Sequence, residues 1–270
     1  MLYHAKNCNI KIKGTSMDYI SFGNGYKNLV IIPGLGDSLK TVKGAALSFS
    51  WLYRVFAKDY KVYVFSRKNH IDQGYSTRDM AADLAIVMKR LGISKSSVIG
   101  ISQGGMIGQY LAIDFGDMVK KLVLAVTLCK QSKTSEQVIS NWIRLAEADD
   151  FKSIVIDMVE KIYTQKRVKL QRPFTFIIYK FMKPKSLNNF ILQAKACIAH
   201  DSSALIQNIQ CPVLVIGGDD DKVVGASSSR EIAQLINGSK LMIYHGYGHS
   251  TYEEAKDFNQ QVIKFLKSNN

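Results

Sequence analysis

Acidic side chains are scarce in this chain: 22 Asp and Glu stand against 36 Lys and Arg in 270 residues, a formal charge of +14 at neutral pH. Such an excess would attract nucleic acid, an anionic membrane or an acidic substrate, but charge alone selects none of them. Cysteine is scarcer still. Cys8, Cys129, Cys197 and Cys211 are far apart and show no CxxC or Cys/His ligand spacing, so they suggest neither a disulfide framework nor a zinc site, and free thiols in a reducing cytoplasm are expected. Long apolar runs are also missing. The longest uncharged stretch, Ser96 to Ile113, has 18 residues, nine of them Gly, Ser or Gln, and reads as strand, turn and helix start rather than a membrane span. The opening MLYHAKNCNIKIKG lacks the apolar core of a signal peptide and carries no acylation or twin-arginine motif, so a cytoplasmic location is expected.

What is present is an ordinary globular composition, 47% hydrophobic and 21% charged, which excludes disorder, collagen and coiled coil. Short apolar runs bounded by Gly, Pro, Asn or Asp recur at Leu29 to Ile32, Val62 to Phe65, Val98 to Ile101, Leu122 to Val126, Val213 to Ile216 and Leu241 to Tyr244. Continuous rather than alternating apolarity is what parallel strands covered on both faces require. Between them, helical spacing predicts helices over Val42 to Ala57, Thr77 to Leu91, the residues after Ser102, Ser227 to Ile236 and Thr251 to Leu266, with Thr77 as an N-cap and Gly92 as a C-terminal stop. Alternating strands and helices imply an α/β fold with a doubly wound, mostly parallel sheet, and the alternating pattern of Asn9 to Phe22 implies an antiparallel hairpin at its edge.

The alternation breaks between about Lys130 and Ser203. Helical patterns over Ser135 to Ala148, Phe151 to Tyr163 and Ser186 to His200 follow one another without strands, and Pro173 and Pro184 punctuate them. We read residues 130–203 as a helical cap inserted into a core of residues 1–129 and 204–270, placed over the carboxyl ends of the strands, where open parallel sheets bind ligands. Within it, Lys161 to Lys185 holds eight Lys or Arg and no Asp or Glu, interleaved with Tyr163, Phe174, Phe176, Tyr179 and Phe181. Nucleic acid or membrane contact is conceivable there. An amphipathic cap with aromatics packed down and cations in water is the favoured reading, with neither nucleic acid nor membrane as partner.

Gly100-Ile101-Ser102-Gln103-Gly104 matches G-x-S-x-G and stands between an apolar strand and the helical run Met106 to Phe115. A serine on so tight a strand-to-helix turn is held in strained backbone with its hydroxyl exposed above the sheet, and the helix aims its first amides at any oxyanion forming beside it. On these residues the chain resembles the α/β-hydrolase fold superfamily, in its serine-nucleophile branch, over nearly its whole length. That resemblance implies a triad in the order Ser, acid, His. The segment Gly217-Gly218-Asp219-Asp220-Asp221 resembles the family's G-x-x-D turn and places the acid at Asp221, with Asp219 and Asp220 as rival registers. The earlier strand on which some members carry the acid ends Val126-Thr127-Leu128-Cys129, without a carboxylate.

By the same resemblance Gly248-His249-Ser250 supplies the base, His249, while His4, His70, His200 and His245 take surface or core roles. Pro33-Gly34-Leu35-Gly36-Asp37-Ser38 is similar to the family's His-Gly loop with Pro33 in place of His, which implies an oxyanion hole from the Leu35 and Gln103 backbone N–H groups. The loop could instead cradle phosphate, but neither a Walker pattern nor G-x-G-x-x-G is present. Leu35, Cys129 and Trp142 are candidate substrate contacts, Trp142 and Cys129 having cap packing and a buried thiol as their competing roles. The implied activity is that of a carboxylesterase or enol-lactonase-like hydrolase cleaving a small ester, thioester or lactone, needing no metal or organic cofactor, with an anionic substrate preference suggested by the basic segment. Two other readings share the triad: a ligand-binding or signalling protein with little turnover, and a cofactor-free perhydrolase.

Overall fold

A computed structural model describes residues 2–175, 179 and 183–268. The expected strands are all present: β1 (Lys6–Ile12), β2 (Thr15–Phe22), β3 (Lys27–Ile32), β4 (Tyr60–Lys68), β5 (Ser96–Ile101), β6 (Val119–Ala125), β7 (Val213–Gly218) and β8 (Lys240–Tyr244). They form one sheet in the order β1-β2-β4-β3-β5-β6-β7-β8. The β1/β2 hairpin and the β2/β4 pair are antiparallel, and the remaining pairs are parallel.

Both faces of the central parallel strands are dry, which explains their apolar runs, whereas the edge strand β8 is only half-buried, with Leu241 exposed. In β3, Val30 and Ile32 pack with α2 (Thr77–Arg90) and α3 (Gln103–Asp114), while Leu29 and Ile31 pack with α1 (Ala46–Leu52) on the opposite face. Residues Val98, Leu122 and Val215 join the first group, Ile99, Val123 and Ile216 the second. Each such side chain, fully buried, is worth ~1.5–3 kcal/mol relative to exposure.

From β3 the chain runs to β4 on one side and returns to β5 on the other. The connections therefore diverge at the carboxyl ends of β3 and β5 and leave a crevice there. Between β6 and β7 the described residues form helices only: α4 (Lys133–Glu147), α5 (Phe151–Ile162), α6 (Gln165–Gln171) and α7 (Asn188–Ile198). A lone bridge between Lys130 and Asp201 joins the two ends of this insertion. After β7 come α8 (Ser228–Leu235), α9 (Thr251–Glu254) and α10 (Phe258–Lys267).

Two helix expectations need correction. The one over Val42 to Ala57 begins only at Ala46, because Asn7 Oδ1 from β1 accepts the Gly44 and Ala46 N–H groups and acts as a cap from far away in sequence. The last expected helix splits, α9 ending at Glu254, whose carboxylate is drawn to the Thr164 N–H and hydroxyl. The N-cap of α2 is Ser76, in a capping box with Asp79, rather than Thr77. Gly92, at φ +71°, ends α2 as expected. In the basic segment, Tyr163 donates to Glu253 and Tyr179 packs on the insertion's core, but Phe174 is exposed; Phe176 and Phe181 lie outside the described residues.

Thr77 is occupied elsewhere, and the reason is His200. At the foot of the insertion His200 Nδ1 lies 2.9 Å from Thr77 Oγ1 and its Nε2 3.3 Å from Gln109 Oε1, so one ring joins α2, α3 and the end of α7. Burial lowers its pKa from 6.5 to about 4, the adjacent Asp201 offsetting part of the effect. The unfolded chain therefore takes up a proton near pH 6.5 that the folded chain refuses until about pH 4. Acidification through that window should cost about 3 kcal/mol of stability, and none further from this group below it. Denaturant titrations at pH 7.5 and pH 4 should show this loss in the wild type beyond that in His200→Asn; equal losses in the two would refute it.

Candidate active site

Ser102 sits between the end of β5 and the first residue of α3 with φ +54° and ψ −118°, a conformation L-residues rarely adopt. The glycines around it are required by space. A Cβ at Gly100 would lie 2.7 Å from the Gly105 Cα, and one at Gly105 would lie 2.6 Å from the Thr127 Cβ. Thr127 also donates its hydroxyl to the Ser102 carbonyl at 2.8 Å, and the Ser102 N–H donates to Ala125 at 2.9 Å, so β6 and the residues after it brace the turn.

Two loops at the carboxyl ends of β7 and β8 complete the constellation. His249 Nε2 is 2.9 Å from Ser102 Oγ, and His249 Nδ1 is 2.9 Å from Asp221 Oδ2. With the proton on Nδ1, the ring donates to Asp221 and accepts from the serine hydroxyl. Asp221 is buried, and its Oδ1 accepts the Val223 and Val224 N–H groups at 2.9 and 3.0 Å, which fixes the carboxylate without help from the histidine. The rival registers are engaged elsewhere: Asp219 pairs with the exposed His245 at 2.7 Å and Asp220 with Lys222 at 3.3 Å. The loops also hold each other, since the Asp220 N–H donates to the Tyr247 carbonyl, and the Ser250 N–H donates to Ile162 at the end of α5.

Across the crevice, the loop after β3 passes close beside the serine. A Cβ at Gly34 would lie 3.3 Å from that of Ser102. Leu35 opens a short 3-10 turn, Leu35–Ser38, just as Gln103 opens α3, so both residues have N–H groups at the start of helical turns, where no acceptor lies within the turn. Among the described residues no hydrogen-bond acceptor takes either one.

These groups face a cavity of about 120 Å3 whose lining includes Leu35, Met106, Leu128, Trp142, Met158 and Val224 along with Ser102 and His249. Its walls come from five regions, the loop after β3, the Ser102 turn with α3, the insertion, the loop after β7 and the stretch from His249 to Tyr252 after β8. Trp142 both lines it and ties α4 to α5 through Nε1–H donated to Asp157 at 2.6 Å. The expectation for Cys129 is corrected. It is not among the described residues lining the cavity but packs in the core between the sheet and α3, with its thiol pushed up to about 11 by burial, while its neighbour Leu128 points into the cavity. The thiol that does line the cavity is Cys197 of α7, pushed up to about 12 by burial and so held as the neutral thiol.

Behind the Leu35 loop lies a buried ion pair that sequence reading did not single out. Arg67, near the end of β4, and Asp37, in the turn Leu35–Ser38, are both buried, with Nη1 3.7 Å from Oδ2. Asp37 also accepts the Ser66 hydroxyl at 2.7 Å and the Arg67 N–H at 3.2 Å. Burial raises the Asp37 pKa and lowers that of Arg67, each partly offset by the other's charge. The available signal was an Arg two residues beyond the apolar run that ends at Phe65.

The sequence profile of the α/β hydrolase fold matches residues 27–256. A Caulobacter segnis protein provisionally named a carbamate hydrolase is 27% identical over 199 residues, covering 72% of this chain and 73% of that one. The 3-oxoadipate enol-lactonase 2 of Acinetobacter baylyi is 22% identical over 98% of both chains. Among solved structures, the enol-lactonase of Burkholderia xenovorans LB400 superposes with a TM-score of 0.84 at 20% identity, covering 97% of this chain and 100% of that one. Sheet order, helical insertion and profile agree, and the chain belongs to the α/β hydrolase fold family.

Proposed function

We propose that this chain is a serine hydrolase that cleaves a small, uncharged ester, thioester or lactone through an acyl-enzyme on Ser102. The observation that carries the reading is the continuous hydrogen-bonded series Ser102–His249–Asp221, opening onto a cavity beside two unengaged backbone N–H groups.

In this reading His249 Nε2 takes the Ser102 proton as Oγ attacks the carbonyl carbon, and Asp221 holds the imidazolium. The Leu35 and Gln103 N–H groups donate to the oxyanion. His249 then gives its proton to the leaving oxygen or sulfur, and water repeats the sequence to release the acid. General base assistance is worth ~10²–10⁴-fold and each oxyanion donor ~10²–10³-fold. This chemistry calls for no metal or organic cofactor.

The cavity narrows the substrate class. A cavity of roughly 150 Å3 in an engineered protein holds one benzene, so about 120 Å3 suits an acyl group of a few carbons. No Lys or Arg is among the described lining residues, so the described cations between Lys161 and Lys185 give no support to the anionic preference their number suggested. The enol-lactonase relative is named for 3-oxoadipate, a dicarboxylate; a carboxylate buried here would lack a cationic partner among the described lining residues, at a cost of several kcal/mol.

Fluorophosphonate labelling and a nitrophenyl ester series test both parts. Labelling at Ser102 is expected, with kcat/KM for the butyrate at least ~10-fold above that for the decanoate and for a glutarate monoester. Equal turnover of the glutarate monoester would overturn the uncharged class. A chain inert to probe and esters alike would favour the ligand-binding reading, and peracid formation faster than hydrolysis would favour the perhydrolase.

A further inference from the structure

We infer that Arg67 is a positioning residue that clamps both halves of the oxyanion hole, acting on the Gly34–Leu35 peptide and on Gln103 from behind. The inference rests on the serine hydrolase reading and adds to it a residue outside the triad and the cavity.

The guanidinium is 4% exposed as a residue, yet it is poorly compensated. Among the described residues its Nε and Nη1 have no hydrogen-bond partner, and Asp37 stands at 3.7 Å, beyond hydrogen-bond length. A cation in that position is not explained by stability. Replacing a buried ion pair by apolar groups of similar volume is often neutral or favourable. What Arg67 does hold, it holds through a single nitrogen. Nη2 donates to the Pro33 carbonyl at 2.5 Å and to the Gln103 Oε1 at 2.7 Å, and lies 3.4 Å from the Gly34 carbonyl.

Those three acceptors belong to the two segments that carry the oxyanion donors. The Gly34 C=O and the Leu35 N–H are opposite ends of one peptide plane. A cation on the oxygen orients that plane and draws electron density from the N–H, making it a stronger donor. The Pro33 carbonyl fixes the preceding plane, so the loop cannot rotate the Leu35 N–H away from Ser102. On the other side, Gln103 contributes its backbone N–H, and its side chain is gripped by Arg67 through Oε1. The Gln103 Nε2 donates onward to the Gln193 carbonyl at 3.1 Å and to Cys197 Sγ at 3.3 Å, both on α7. One guanidinium therefore sets the spacing of two donors that lie on different loops, and the Asp37 carboxylate, held by the Ser66 hydroxyl and the Arg67 backbone N–H, places a negative charge beside it. Donors fixed before charge develops are what transition-state stabilisation requires.

The test compares wild type with Arg67→Met and Arg67→Lys, using steady-state kinetics on the butyrate ester and the binding of two inhibitors. One is a trifluoromethyl ketone, which forms a tetrahedral adduct with the serine, and the other is the matched methyl ketone, which binds without one. Arg67→Met is expected to lower kcat ~10–100-fold with KM within about twofold, and to weaken the trifluoromethyl ketone by the same factor while leaving the methyl ketone unchanged. Arg67→Lys, with one ammonium in place of a planar fork, should recover only part of the loss. A merely structural role would weaken both ketones together or leave both unchanged, and either result overturns the inference. If Arg67→Met does not fold, Gln103→Leu decides the matter: it keeps the Gln103 N–H and removes only the carbonyl that Arg67 grips, and it should selectively weaken the trifluoromethyl ketone about 3–10-fold. A wild type without esterase activity or probe labelling would refute the hydrolase reading itself, whereas an active wild type with unaffected Arg67 variants would refute this inference alone.

Discussion

Ser102→Ala is expected to lower kcat on the butyrate ester by ~10⁵-fold or more with KM within about threefold, and to abolish fluorophosphonate labelling. The size of the effect follows from what remains. In the proposed mechanism no acyl-enzyme forms without Oγ, and His249 and Asp221 act as a unit with the nucleophile, so their contribution is lost with it. The Leu35 and Gln103 N–H groups and the apolar walls persist, and they should preserve substrate binding and a residual acceleration of ~10³–10⁴ over water. The fold should tolerate the change. The hydroxyl's hydrogen bond is to His249 Nε2, which also faces the cavity, and the backbone of the turn is held by Ala125 and Thr127, not by Oγ. A Ser102→Ala protein with more than about a hundredth of wild-type kcat would mean that turnover does not pass through this hydroxyl.

The strands were legible in the sequence for a physical reason. Where both faces of a strand are buried, most of its residues are apolar, and Leu29 to Ile32 or Val213 to Ile216 stand out without any knowledge of their partners. The reading fell short where a polar residue continues a strand with a distant partner. The β4 strand extends past Phe65 through Ser66 and Arg67, whose polar groups meet Asp37. Helix ends failed in the same way. Asn7 caps the start of α1 from another strand, and Thr77, a good N-cap by residue type, gives its hydroxyl to His200 while Ser76 takes the cap. A local window does not contain these partners.

For the site, motif order led to Ser102, Asp221 and His249, and the geometry joins all three. The N–H groups of the expected donors, Leu35 and Gln103, meet no acceptor among the described residues, and both lie beside the serine. The pocket walls were harder to foresee because they depend on which way a side chain turns after a strand has ended. Cys129 and Leu128 are neighbours in an irregular stretch, yet one enters the core and the other the cavity. Tyr252 and Met158 reach the cavity from helices whose rotation is set by packing rather than by motif. Arg67 was hidden because its effect passes through backbone carbonyls, which leave no residue-type signature on the loop they belong to.

Gly104→Ala is expected to be severely damaging, lowering stability by about 3 kcal/mol or more and Tm by about 6–12 °C. A Cβ there would fall inside the van der Waals shell of the Ile32 carbonyl oxygen and lie 2.8 Å from that of Pro33. Both atoms are backbone at the end of β3, which is paired on both sides and cannot step aside as a flexible side chain could. Relief requires α3 to lift away from the sheet, and α3 begins at the nucleophile turn. The same displacement would move Gln103 away from Leu35, since the Ile32–Pro33 backbone leads directly into the oxyanion loop. Activity should therefore fall even in the fraction that remains folded, with kcat affected more than KM. Gly116→Ala is the control. An added Cβ there meets nothing within 4 Å, and its Tm and kcat should stay near wild type, with stability changed by no more than about 0.5 kcal/mol. Thermal unfolding and kinetics of the two variants side by side separate close backbone approach from the loss of glycine as such; a Gly104→Ala protein as stable as Gly116→Ala would show that α3 and β3 do not pack this closely.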